Sequence, residues 1–218
     1  MADEVMQVPL LPLPKTVFFP NMLLRLHVSE GDHRQMAQEC LEGEGRLAIA
    51  MLKQGGEKSN LSSPLVHRTM GLGRIVHHRE LEDDKLEISV EGIARLRLLR
   101  EVASEPWQIV EAEVLSGYST PAEDSSHRIH QAFGQLLQTL DRMQLLLPQF
   151  KDACQKILVA HPHPGVVADL LANSFVVDAY DKQCILDELD VLRRIHLVNI
   201  QFQRIVENFS RAHYRDRL

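Results

Sequence analysis

The sequence is short of cysteine and aromatic residues, has no surplus of positive charge and has no long apolar run. Its three cysteines, Cys40, Cys154 and Cys184, are odd in number and scattered, without the CxxC spacing that zinc or redox chemistry uses. They read as reduced core thiols, the usual fate of free cysteine. No apolar stretch approaches the roughly 20 residues a membrane-spanning helix needs, and Met1 to Val8 has neither a basic start nor an apolar run. The expected compartment is therefore the cytoplasm, with no membrane association. The formal net charge is -6, and acids outnumber bases on both sides of Gly117. A nucleic-acid binder needs a basic excess on one face, and aromatics at 5% leave little for base stacking.

Catalytic signatures are missing too. There is no G-x-x-x-x-G-K-[ST] phosphate loop, and Gly71-Leu72-Gly73 lies in a strand-like context with no third glycine opening a helix. Ser59, Ser62 and Ser63 sit in a polar stretch without a G-x-S-x-G elbow. His77 and His78 are neighbours, so on a strand they face opposite sides. His161 and His163 stand in a proline-bounded loop without a cysteine or carboxylate at metal spacing. Glu82, Asp83 and Asp84 read as a hairpin turn rather than a cation site. His27 and His67 have no acid at a spacing that would make a catalytic pair. No cofactor or metal is expected.

What remains is an ordinary soluble composition, 44% hydrophobic and 25% charged, enough to bury a core. Short apolar runs broken by Pro, Gly and charged turns predict strands over Gln7–Leu13, Met22–Val28, Leu47–Leu52, Val66–His78, Lys85–Arg100 and Trp107–Leu115. One helix interrupts them, with Ser29 as its expected cap, Met36, Cys40 and Leu41 on one face, and Gly43 and Gly45 at its end. Gln54–Pro64 reads as a mobile loop. Between Ser116 and Ser126 the composition turns to Gly, Ser, Thr, Pro and acids, and the apolar spacing then becomes helical. The expected division is thus a β-rich part, residues 1–117, and a helical part, residues 118–218.

In the helical part, Ile129, Phe133, Leu136, Leu137 and Leu140 make one stripe, and Phe150, Cys154, Ile157 and Leu158 a second. Pro164 suits the first turn of a third helix over Gly165–Asn173, and a fourth should run from Asp181 to Leu189. The last, Asp190–Arg211, carries Leu192, Ile195, Phe202, Val206 and Phe209 near heptad spacing. We read this as an intramolecular stripe that Asn199 interrupts. The oligomeric expectation is a monomer or weak homodimer.

The motifs, taken in order, resemble a known family. Pro9 to Val28, PLLPLPKTVFFPNMLLRLHV, is similar to the opening signature of the amino-terminal substrate-binding domain of Lon proteases, with Phe19, Pro20 and Met22 as its most specific part. Gly71-Leu72-Gly73-Arg74-Ile75 and Val90-Glu91-Gly92-Ile93-Ala94-Arg95 follow, then Val167 to Ala172, Lys182 to Leu186 and Leu189 to Arg194. The resemblance implies an α+β fold: a β-rich pseudo-barrel subdomain of PUA-like type followed by a small helical bundle. Gly71, Gly73 and Gly92 would permit bulges or close backbone approach in such a curved sheet, while Pro12 and Pro14 suit a strand end.

A complete Lon protease also carries an ATPase module and a Ser-Lys dyad, and no motif for either occurs here. The expectation is a stand-alone, non-enzymatic module that binds unfolded polypeptides or a partner protein, and that works alone or alongside a separate protease. Phe18, Phe19, Met22, Leu23, Leu24 and Trp107 are the candidate contact residues, with core packing as the competing role for each. The alternative is RNA binding through the PUA-like surface, with Arg95, Arg97 and Arg100 alternating along one strand.

Overall fold

Period-two alternation punctuated by glycine builds strands in the first half of the chain, and 3.6-residue spacing builds helices in the second. In the computed structural model, which describes residues 4–29, 31–55, 65–82, 85–115 and 123–215, the chain divides into two compact units, Met1–Ser116 and Gly117–Leu218.

The first unit comprises β1 (Val5–Leu13), β2 (Leu23–Val28), α1 (Asp32–Glu42), β3 (Arg46–Met51), β4 (Thr69–Glu80), β5 (Leu86–Ala103) and β6 (Ile109–Leu115). The sheet order is β2-β5-β4-β3-β1-β6, and β6 also pairs with β5. That second pairing closes β5, β4, β3, β1 and β6 into a barrel and leaves β2 as a flap on one strand. Among the described strands, only β1 and β3 run parallel. The 18-residue β5 makes closure possible by changing partners along its length: Leu86–Glu91 pairs with β2, and Arg95–Ala103 pairs with β6. Inward side chains from five strands, including Val8, Leu10, Ala48, Ala50, Met70, Leu72, Leu96, Val110 and Ala112, fill the interior. The α+β pseudo-barrel expected from the resemblance is therefore the fold observed.

Local details differ from the sequence reading. Gly31, not Ser29, occupies the N-cap of α1, with φ 101° and no side-chain cap bond. A positive φ favours glycine over serine, which explains the shift. Pro12 lies near the end of β1, paired with Ala50, as expected of a strand end. The β4–β5 hairpin is tied by Leu81 N–H donating to the Lys85 carbonyl at 2.7 Å. Its Asp83 and Asp84 lie outside the described residues, as do Ser59, Ser62, Ser63 and most of Gln54–Pro64.

The second unit contains α2 (Glu123–Leu146), a 3-10 turn (Pro148–Phe150), α3 (Lys151–Ala160), α4 (Pro164–Phe175), α5 (Ala179–Asp187) and α6 (Val191–Arg215). Leu136, Leu140 and Met143 of α2, Val167, Leu171 and Ala172 of α4, and Ile195, Val198 and Phe202 of α6 are buried. Phe175 stands edge-on to Phe150 at 5.3 Å and to Phe202 at 6.1 Å between centroids. In α6 the buried positions are Val191, Arg194, Ile195, Val198, Asn199 and Phe202, an ordinary helical stripe. Asn199 thus lies within the packed face instead of interrupting it, and Phe209 is exposed. Asp178 Oδ1 caps α5 by accepting from Tyr180 and Asp181 N–H, both at 2.9 Å. None of the described helices is long and apolar enough to cross a membrane.

Candidate recognition surface

The signature segment folds inward. Phe18 and Phe19 are 1% and 0% exposed, and Met22 is buried beside them. Their backbone presses on two strands where side chains are absent: a Cβ on Gly71 would collide with the Phe18 carbonyl oxygen, and one on Gly92 with that of Phe19. The turn is held by Phe19 N–H donating to Met22 Sδ at 3.1 Å, Asn21 N–H to the Gly92 carbonyl, and Gly92 N–H to the Met22 carbonyl, the last two at 2.8 Å. Asn21 adopts φ 63°, a left-handed conformation that asparagine tolerates. Aromatics and glycines are thus two sides of one contact at the corner where β5 leaves β2. Phe18, Phe19 and Met22 are buried and present almost no surface, and Val90 packs beside the Phe18 ring near Gly73.

The other candidates reach solvent. Leu23 is exposed at 56%, and Leu24 is half-buried. Trp107 is half-buried and borders a cleft of about 420 Å³ with Met6, Pro9, Glu39, Glu44 and Arg46. Leu23 pairs with Glu91 in the first half of β5, whereas Trp107 follows the far end of that strand, so the two are not one site. Cys40 also lines the cleft, and burial, helped by Glu39, pushes its thiol up to about 11. It is not a reactive thiolate.

One feature of the surface was not anticipated. Four residues have no partner opposite them in the strand registers: Val76 on β4, and Ile93, Leu99 and Val102 on β5. Each marks a β-bulge, and each is an exposed aliphatic, between 39% and 49%. A bulge re-aims a side chain that alternation would send elsewhere. Adjacent aliphatics, Ile75-Val76 and Leu98-Leu99, were the available signal, since strict alternation cannot bury both.

On the outer face near Leu23 the charges are ordered by strand. Arg25 and His27 on β2 are exposed, Glu87 and Glu91 follow on β5, and Arg74 and Arg79 on β4. His27 Nε2 lies 3.1 Å from Glu87 Oε2, Arg79 3.4 Å from Glu87, and Arg74 3.8 Å from Glu91. The His27 hydrogen bond, with Arg79 nearby, holds the Glu87 carboxyl below its usual range.

The arginine stripe that the RNA-binding alternative would require does not form among the described residues. Arg95 is 1% exposed, Arg97 pairs with Glu113 at 3.2 Å, and Arg100 makes a bidentate pair with Glu111 at 2.9 and 2.8 Å. The acids of β6 therefore neutralise what a phosphate backbone would require. His77 and His78 are both exposed, with a bulge between Ile75 and His77. His163 is the N-cap of α4, its Nδ1 accepting from Gly165 N–H at 3.1 Å. Among the described residues no group of three His, Cys, Asp or Glu is placed to hold a metal ion. Cys40 and Cys154 are buried as expected, but Cys184 is exposed, because it falls on the outward side of α5.

Known proteins with these features are consistent. The Lon protease of Dictyoglomus thermophilum is 27% identical over 199 residues, covering 91% of this chain and 24% of that protein. Lon protease 2 of Myxococcus xanthus is 27% identical over 200 residues, covering 90% and 23%. The chain thus spans about a quarter of the length of these curated relatives. Among solved structures, the N-terminal domain of Mycobacterium avium complex Lon protease matches with a TM-score of 0.69 at 17% identity, covering 91% of this chain and 98% of that one. The Lon N-terminal domain protein of Xanthomonas campestris matches with a TM-score of 0.61 at 15% identity, covering 88% and 95%. The model of the ATP-dependent protease La (LON) substrate-binding domain matches residues 7–204, and the chain belongs to that family.

Proposed function

We propose that this chain is a non-catalytic, cytoplasmic recognition module that binds unfolded polypeptides or exposed segments of partner proteins, either on its own account or for a separate protease. Family membership supports recognition of protein substrates. The observation that carries the reading to this chain is the set of exposed aliphatics, Val76, Ile93, Leu99 and Val102, set out by bulges, together with Leu23. Apolar side chains projected from a rigid barrel bind apolar segments without the ordering cost a flexible loop would incur. We treat the change near Gly117 as a domain boundary, with recognition assigned to the β unit.

Cross-linking mass spectrometry with native and denatured forms of the same model proteins as parallel baits tests this. Preferential capture of denatured chains at peptides containing Leu23, Val76, Ile93 or Leu99 is the expected result. Equal capture of both forms, or capture only through the helical unit, would overturn it.

A further inference from the structure

β2 is the end strand of the sheet, and among the described residues no strand pairs with its outer edge. Gly92 N–H donates to the Met22 carbonyl, so in the antiparallel register of β2 with β5 the even-numbered residues of β2 turn their N–H and C=O groups towards β5. The close His27–Glu87 side-chain contact, directly across the register, fits a non-hydrogen-bonded pair. Leu23, Arg25 and His27 therefore direct their main-chain groups outward, away from β5.

Their side chains all project from one face and are exposed. That face alternates in sign from strand to strand: Arg74 and Arg79 on β4, Glu87 and Glu91 on β5, then Arg25 on β2 beside His27, whose ring nitrogen contacts Glu87. The next strand in this series would be acidic. On the opposite face Leu24 and Leu26 are half-buried, so the same strand would need apolar residues there.

We propose that the outer edge of β2 is a strand-addition site for an extended polypeptide segment in which acidic and apolar residues alternate. The segment runs antiparallel to β2, with acidic residues opposite Arg25 and His27. Main-chain hydrogen bonds supply affinity without regard to sequence, and the charge column selects the register. The inference rests on the polypeptide-recognition reading above and names the kind of segment recognised.

The test is fluorescence anisotropy of the purified full chain with a labelled peptide of alternating leucine and glutamate. Residues opposite Arg25 and His27 form the hydrogen-bonded pairs, so the glutamate amides are the ones that bond to β2. N-methylation of those amides weakens binding by about tenfold or more, whereas N-methylation of the leucine amides leaves it unchanged. The exposed substitution Arg25→Glu transfers preference to an alternating leucine and lysine peptide. Equal sensitivity to the two methylations, or none, overturns the proposal and leaves Arg25 as a charge that keeps the edge unpaired. Capture of denatured protein is measured on the same samples. If the wild type and Arg25→Glu retain it equally while the methylations have no effect, the edge site falls and the recognition reading stands. If neither captures denatured protein, both fall.

Discussion

The carbonyl oxygen of Phe19 lies so close to the α-carbon of Gly92 that any side chain on residue 92 would strike it. This contact sits where β5 exchanges β2 for β6, so the barrel closes around a backbone approach that only glycine permits. Gly92→Val should destabilise the β unit by about 2 to 3 kcal/mol, the usual cost of forced overpacking. A urea titration followed by Trp107 fluorescence reads that loss, and an unchanged midpoint would show that the corner yields.

Arg194 and Asp169 form an ion pair at 3.2 Å with both side chains fully buried, and Arg194 also donates to the Glu188 carbonyl at 2.8 Å. Asp169→Ala leaves the guanidinium inside without its counter-charge and should cost roughly 3 to 5 kcal/mol. Replacing both, with Asp169→Leu and Arg194→Met, should restore most of that loss. Thermal melting of the two variants separates a charge penalty from simple loss of packing, which would leave the double variant no better than the single one.

His163 caps α4 through an unprotonated Nδ1. Burial first, and the Arg194 guanidinium second, hold its pKa below the ordinary 6.5, with Asp169 opposing. The unfolded chain therefore takes up this proton at higher pH than the folded one. The stabilisation is complete above 6.5 and is lost as pH falls towards the lowered value. Denaturant midpoints monitored by helical circular dichroism should be lower at about pH 5.5 than at about pH 7.5, and His163→Asn, which keeps a cap, should flatten this difference.

Asn199 lies on the packed face of α6, and among the described residues its buried Oδ1 has no hydrogen-bond partner. Asn199→Leu should stabilise the helical unit by about 1 kcal/mol, since an unpaired polar atom is removed from the interior. A lower melting temperature for this variant would mean that the asparagine serves packing in a way leucine does not.

The barrel was legible because its strands advertise themselves twice, by alternation and by the glycines that mark close approach. Phe18 and Phe19 illustrate the limit. Their residue types fit an exposed anchor or a core plug, and only the position of Gly71 and Gly92 against them decides for the plug. Bulges were only partly legible for a related reason: the adjacent aliphatics Ile75-Val76 and Leu98-Leu99 mark where alternation must break, but which of the two faces outward is fixed only by the register. The arginines of β5 show the same dependence, since Glu111 and Glu113 neutralise them from a neighbouring strand that no local pattern reveals. Helix starts were missed by two residues both where a carboxylate caps, with Asp178 ahead of Ala179 against an expected start at Asp181, and where backbone conformation decides, at Gly31 against Ser29.

The proposed recognition of unfolded over folded polypeptide rests on the apolar side chains of the β unit. The most direct measurement is an isothermal titration with one disulfide-stabilised model protein in its native form and in its reduced, alkylated, unfolded form. The account predicts binding of the unfolded form alone, weakened about tenfold when Leu23 and Ile93 are both changed to serine, consistent with roughly 1.4 kcal/mol of lost apolar contact. Equal affinity for the two forms, or binding indifferent to those two side chains, would contradict it.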